Sequence, residues 1–237
     1  MKGYGMFEVN KVGWLEKEKP VLTGGDAILR PVAVAPCSSD THMSHGGSGP
    51  RTNVILGHEA IGEIVEVADN VKNFKKGDIV VVPCVTPDWD AVPLQDPDHS
   101  EAHDHSLMGG FKFLSSKDGV FGEFFHVNNA DANLVHMPDD VTIEQALMTV
   151  DMMSTGFYGA EMAKVKLGDT VVVFGIGPVG LMAVAGAKLR GAGEIIAIGT
   201  RPNCVELAKE YGATKILSYK EGDLADQVRA LYPEGVD

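Results

Sequence analysis

The chain is short of cysteine and of positive charge. Its three cysteines, Cys37, Cys84 and Cys204, are odd in number and widely spaced, which excludes a disulfide framework. Twenty Lys and Arg stand against thirty-three Asp and Glu, a net charge of −13. That balance repels phosphate backbones and anionic lipid, so neither nucleic acid nor a membrane surface is an expected partner. A local basic pocket for one cofactor phosphate stays open. Long hydrophobic runs are scarce as well. The longest uncharged stretch, Thr170–Ala187, only reaches the lower end of a membrane span. Gly175, Gly177, Pro178 and Gly180 interrupt it, so it reads as strand, turn and helix. No charged-then-apolar leader opens the sequence, and a reducing cytoplasm is the expected compartment. There is no internal repeat and no low-complexity segment.

What is present is ordinary globular material: 44% apolar and 22% charged residues over 237 positions, room for two domains. Up to about residue 150, short apolar runs such as Ala27-Ile-Leu, Val32-Ala-Val-Ala, Ala60–Val67 and Ile79–Val82 alternate with Gly and Pro. This pattern predicts a β barrel or sandwich-like lobe. Residues 87–118, rich in Asp, His, Ser and Gly, read as a long surface loop. From Thr142 the period changes. A Thr142–Gln145 capping box opens a helix, and then strand and helix alternate. The segments are Thr170–Phe174, Val179–Leu189, Glu194–Ile198, Pro202–Tyr211, Lys215–Ser218 and Gly222–Leu231. A βαβαβα series of this kind predicts a parallel sheet with crossover helices.

Two motifs carry chemistry. His58 and Glu59 follow Gly57, and with Cys37 upstream they offer zinc a thiolate, an imidazole and a carboxylate. Alone this is a weak signal, since a lone His is more often a hydrogen-bonded core or surface residue. The second motif is Gly175-Ile176-Gly177-Pro178-Val179-Gly180, set between a β-branched strand and an Ala/Val-rich helix. Gly175 suits a tight turn, Gly177 a close approach of backbone to pyrophosphate, and Gly180 close packing of helix on strand. The helix N-terminus would face the phosphates. After the second strand come Gly199, Thr200 and Arg201, with no carboxylate to accept hydrogen bonds from a ribose 2′-hydroxyl. Arg201 can pair with a 2′-phosphate, which selects NADP(H) over NAD; the plain alternative is a surface Arg after a glycine turn.

Gly57-His-Glu-Ala-Ile-Gly62 resembles the zinc signature of the medium-chain dehydrogenase/reductase superfamily. Cys37-Ser-Ser-Asp-Thr-His42, Thr86-Pro-Asp-Trp89, Asp118-Gly-Val-Phe-Gly-Glu-Phe-Phe-His-Val127, Asp151-Met-Met-Ser-Thr-Gly156 and the run from Gly175 to Gly191 resemble one branch, the NADP-dependent secondary-alcohol dehydrogenases. The resemblance spans the whole chain. It implies an α/β plus β architecture: a GroES-like β-barrel-type catalytic lobe over residues 1–153, then the first (βαβαβα) half of a Rossmann domain over 154–237. It also implies one catalytic zinc held by Cys37, His58 and Asp151, with Glu59 as an exchangeable ligand. Thiolate plus aspartate neutralises the ion and leaves a Lewis acid. Because neighbours in an extended chain point to opposite sides, the competing role for Glu59 is to support the ligands from behind or to form a buried salt bridge. Ser39 is expected to hydrogen-bond the substrate oxygen and to open a proton relay towards His42; otherwise the two are a turn residue and a surface His. Tyr219 is expected to line the adenosine phosphate region. The implied reaction moves a hydride between a small secondary alcohol or ketone and NADP(H), in a full-length homotetramer.

Departures are few. Cys84 stands where the branch often has Ala and Phe111 where it often has Trp, which puts substrate preference in question. The superfamily's four-cysteine structural zinc lobe has no counterpart here, so a single zinc is expected. His99, His103 and His105, with Asp98 and Asp104, could bind metal, but a solvated loop is the expected reading. Gly235-Val-Asp237 leads towards a fourth strand, and the chain reads as C-terminally truncated. The remaining choice is between an active dehydrogenase and a catalytically incomplete zinc- or nucleotide-binding fragment. A zinc-free quinone reductase would have no use for Cys37, His58 and Asp151 together.

Overall fold

The computed structural model describes residues 1–47, 49–89, 112–114 and 116–237. Phe111 and the histidines and aspartates between 98 and 105, singled out from the sequence, lie outside the described residues. The chain divides into two compact units, Met1–Val150 and Asp151–Asp237. Among the described residues no helix is long and apolar enough to cross a membrane.

Among the described residues the first unit is built on two sheets. Strands β1 (Lys2–Glu8) and β2 (Lys11–Glu16) form a hairpin that turns through Asn10 at φ 65°, and β4 (Val54–Ile55) pairs on the other side of β1. The larger sheet is antiparallel, with spatial order β7-β3-β5-β6-β8. Its strands are β3 (Ala27–Val34), β5 (Ala60–Val67), β6 (Ile79–Val82), β7 (Phe125–Val127) and β8 (Val135–His136). The apolar runs before and after Pro31 are one strand. Proline cannot donate to a ladder, and β3 accommodates it with register shifts at Ile28/Leu29 and Pro31/Ala33. Met6, Leu29, Ile64, Val80, Phe113 and Phe125 are fully buried in the core of this unit. Each such side chain contributes about 1.5–3 kcal/mol over its exposed state. Phe113 and Leu114 therefore correct the surface reading of the 87–118 segment, whose last part turns inward.

Among the described residues this unit also has three short helices: α1 (Ser38–Ser44), α2 (Ala130–Asn133) and α3 (Ile143–Met148). Thr142 caps α3, its Oγ1 accepting from the Gln145 N–H while the Gln145 side chain accepts from the Thr142 N–H. A π-helical turn, Thr149–Met153, continues α3.

The second unit opens with α4 (Ser154–Met162) and continues β9 (Thr170–Phe174), α5 (Pro178–Leu189), β10 (Glu194–Ile198), α6 (Pro202–Tyr211), β11 (Lys215–Leu217) and α7 (Leu224–Leu231). The sheet is parallel, in the order β11-β10-β9. Central strand β10 buries Ile195, Ile196, Ala197 and Ile198, the near-continuous apolar run that a sheet covered on both faces requires. Gly156 of α4 lies so close to α5 that a Cβ would come within 2.6 Å of the Val179 carbonyl. Asp237 lies along the outer edge of β9: its Oδ2 accepts from the Thr170 N–H at 2.9 Å, and its own N–H donates to the Thr170 carbonyl.

Candidate metal centre and nucleotide turn

One donor atom from each of Cys37, His58, Glu59 and Asp151 lies within 4.8 Å of every other. Local chain geometry explains the convergence. Cys37 ends the segment after β3 as the N-cap of α1. Gly57 takes φ 94°, a left-handed conformation disfavoured for any side chain, and a Cβ there would strike the Phe121 ring at 2.4 Å. That bend delivers His58 and Glu59 to the centre before β5 begins at Ala60. Strand alternation thus does not govern the pair, and both donors reach the same point. Asp151 comes from the π-helical turn, a form often found at functional sites. Thr155 Oγ1 donates to Asp151 Oδ1 at 2.5 Å.

Burial is extreme for such polar groups: His58 is 1% exposed and Glu59 0%. The donor set of one thiol, one imidazole and two carboxylates, Glu59 buried and Asp151 partly buried, is one that zinc binds well. The residues fit zinc.

Asp40 was not singled out from the sequence, yet it holds the centre together. Buried at 6% exposure, it accepts from the Cys37 N–H through Oδ2 (2.9 Å) and from the Gly57 N–H through Oδ1 (3.0 Å). Its Oδ1 also lies 3.2 Å from His58 Nδ1. A proton on Nδ1 directed at this carboxylate leaves Nε2 to coordinate, the orienting role that carboxylates play behind metal-bound histidines. The signal was available: Cys37-x-x-Asp40 has the spacing of a capping box.

Ser39, half-buried, places Oγ 3.5 Å from Cys37 Sγ and so borders the centre. His42 is exposed on α1. Cys84 is half-buried and packs with Ile61, Ala146 and Val150; Cys204 is buried.

In the second unit the glycine turn joins β9 to α5. Gly175 has φ 85°, and a Cβ on Gly180 would sit 1.7 Å from the Gly175 carbonyl oxygen. Gly177 is the N-cap of α5 and Pro178 occupies its first turn. A Cβ on Gly177 would meet only Arg201 Nη2, at 3.6 Å, leaving open space at the helix N-terminus. Gly199 packs on buried Ile176, where a Cβ would lie 2.2 Å from Ile176 Cγ1. Val179 is exposed on the first turn of α5. Thr200 Oγ1 and Tyr219 Oη are hydrogen-bonded at 2.8 Å. The structure thus brings Gly177, Arg201, Thr200 and Tyr219 to the carboxyl ends of β9, β10 and β11, where nucleotides bind in such sheets.

A buried metal-type cluster and a glycine turn of this form define a class, and comparison with known proteins agrees. The alcohol dehydrogenase GroES-like domain matches residues 23–139, and the zinc-binding dehydrogenase domain matches residues 178–237. The chain belongs to the zinc-dependent alcohol dehydrogenase family. Within it, the chain is 58% identical to an NADP-dependent isopropanol dehydrogenase of Thermoanaerobacter brockii, over 100% of this chain and 67% of that protein. It is 56% identical to the one from Clostridium beijerinckii, over 100% and 68%. Among solved structures, zinc-dependent alcohol dehydrogenase 2 from Streptococcus pneumonia, in its apo form, superposes with a TM-score of 0.87 at 31% identity, covering 100% of this chain and 67% of that one. The chain spans about two thirds of the length of these relatives.

Proposed function

We propose that this chain is the zinc- and NADP(H)-binding part of a dehydrogenase acting on small secondary alcohols and ketones. The observation that carries the reading is the convergence of Cys37, His58, Glu59 and Asp151 on one point. When bound, zinc supplies a Lewis acid for the substrate oxygen and NADP(H) donates or accepts the hydride. Cys37, His58 and Asp151 are the lasting ligands in this reading, and Glu59 is the exchangeable one. Ser39 holds the substrate hydroxyl proton and passes it towards His42, whose exposed ring exchanges it with water. Gly175, Ile176, Gly177, Pro178, Val179 and Gly180 cradle the pyrophosphate. Gly199 leaves room beside the ribose, Arg201 pairs with the 2′-phosphate, and Thr200 with Tyr219 walls that subsite. Residues 1–153 act as the catalytic lobe and 154–237 as the first half of the nucleotide domain. We assign one catalytic zinc and no structural zinc, a cytoplasmic setting, a homotetrameric full-length form, and no nucleic-acid or membrane partner.

Oxidation of NADPH driven by acetone or butanone, abolished by a strong chelator and restored by zinc, tests the proposal. Turnover that persists without zinc refutes it. The two-thirds span favours a second reading, a chain that holds zinc and nucleotide without turnover; stoichiometric zinc and NADPH binding with no acetone-dependent oxidation would select it.

A further inference from the structure

Away from the metal centre, the first unit gathers a carboxylate, an imidazole and an amine that the proposed reaction does not use. Asp26, just before β3, is 6% exposed. Its Oδ2 accepts from Thr23 Oγ1 at 2.6 Å and lies 2.8 Å from His126 Nε2, while Oδ1 accepts from the Asn129 N–H at 3.1 Å. His126 belongs to β7. Lys117 stands beside this pair. Its Nζ donates to Thr86 Oγ1 at 3.0 Å and Asn128 Oδ1 at 2.9 Å, and lies 4.3 Å from the centre of the Phe113 ring. Both hydrogen-bond acceptors are neutral, an unusual setting for a half-buried ammonium. Burial, reinforced by repulsion from Lys112 and only partly offset by Asp26, pushes the Lys117 amine down from 10.5 to about 7. Burial likewise lowers the His126 imidazole, with Asp26 opposing that effect.

Lys117 and His126 both line a cavity of about 250 Å³, walled by Pro20, Val21, Phe124 and Phe125. Glu18 and Asp118 face the same space, so it disfavours anions. Both residues also line a larger cavity of about 400 Å³ on the side of Asp88 and Lys112. An amine lowered to about 7 at the wall of a small cavity is a stronger nucleophile at neutral pH than an ordinary lysine, and a carboxylate–imidazole pair beside it can move protons.

We propose that Lys117 is a reactive amine that captures small neutral aldehydes in this cavity as reversible imines, with Asp26 and His126 relaying the protons. The nitrogen lone pair attacks the carbonyl carbon, and one proton passes from nitrogen to oxygen to give a carbinolamine. The hydroxyl then leaves as water, taking a second proton from nitrogen as the C=N bond forms. No electrons are gained or lost. The assignment does not depend on the zinc or NADP(H) reading.

The test treats the intact chain with propanal and cyanoborohydride, which reduces the imine to a stable propylamine, and maps the product by peptide mass spectrometry. At about pH 7, Lys117 should be labelled roughly tenfold or more ahead of Lys75, whose side chain is 83% exposed. The Lys117 rate should rise through about pH 7, and its lead should vanish in guanidinium. His126→Asn should slow Lys117 labelling severalfold and leave Lys75 unchanged, with circular dichroism confirming the fold. Labelling of Lys117 that lags or tracks Lys75 overturns the proposal, as does a lead that survives unfolding. An unchanged rate in His126→Asn overturns the relay.

Discussion

Replacing Asp40 offers a sharp test of how the metal centre is built, because one carboxylate supports two segments that carry ligands. In Asp40→Ala the N–H groups of Cys37 and Gly57 lose their acceptor, and so does His58 Nδ1. A buried donor left without a partner costs about 1–3 kcal/mol. The two backbone donors together therefore predict about 2–6 kcal/mol of lost stability. Removing the orienting partner of a metal-bound His lowers metal affinity by about 10–100-fold, equivalent to about 1.4–2.7 kcal/mol. Asp40→Asn keeps one carbonyl oxygen and should fall between wild type and Ala. Zinc competition against a chromophoric chelator reads the affinity, and urea unfolding at fixed free zinc reads the stability. Asp131 supplies the control, since it also accepts two backbone N–H bonds, from Lys72 and Asn73, but does so in an exposed setting. Asp131→Ala should leave zinc affinity unchanged. If Asp40→Ala binds zinc within twofold of wild type and unfolds at the same midpoint, the account of the centre is wrong.

Three further outcomes are expected. Arg201→Ala should weaken NADPH binding by about 10–100-fold, the loss of one charge-assisted contact of about 1.5–3 kcal/mol, and leave NADH binding little changed; fluorescence titration of both cofactors decides. Gly180→Ala places a methyl 1.7 Å from the Gly175 carbonyl oxygen, so nucleotide binding should be lost while zinc stoichiometry, measured by atomic emission, stays at the wild-type value. Lys117 has a folded-state pKa below its unfolded one, so the unfolded chain binds more protons between about pH 7 and 10.5 and stability gains from this residue as pH rises across that window. Lys117→Met should therefore compare best with wild type below pH 7 and lose ground as pH rises to 10, a trend that denaturant midpoints will confirm or reverse.

Much of this organisation was legible in the residues, for identifiable reasons. The nucleotide half follows rules local in sequence: β-branched runs, a glycine turn, helices entered through Pro178 and Pro202 and, for α6, closed by Gly212 at φ 119°. Its boundaries were accordingly close, with β11 ending at Leu217 rather than Ser218 and α7 starting at Leu224 rather than Gly222. Ligand identities came from the family motif, not from spacing, because Cys37, His58 and Asp151 meet only through the tertiary fold. The same long-range character hid Asp40, whose partners include Gly57 and His58, 17 and 18 residues further along the chain. Strand alternation could not place Glu59 beside His58, because Gly57 bends the path just before the pair. Lys117 escaped notice because a lone lysine near a polar segment reads as solvated. Only the fold supplies the Phe113 ring and the neutral acceptors that enclose it.

The spread of the four donors along the chain has a mechanical meaning of its own. A metal gripped by both Cys37 and Asp151 is a cross-link closing a loop of over a hundred residues. Chain-entropy arguments for such a closure give on the order of 4–5 kcal/mol for a loop of ~100 residues. An ion held in this way would be a structural rivet as well as a chemical centre. Its removal should free the π-helical turn first, because Asp151 is the only donor of the four that does not adjoin the strands of the five-stranded sheet.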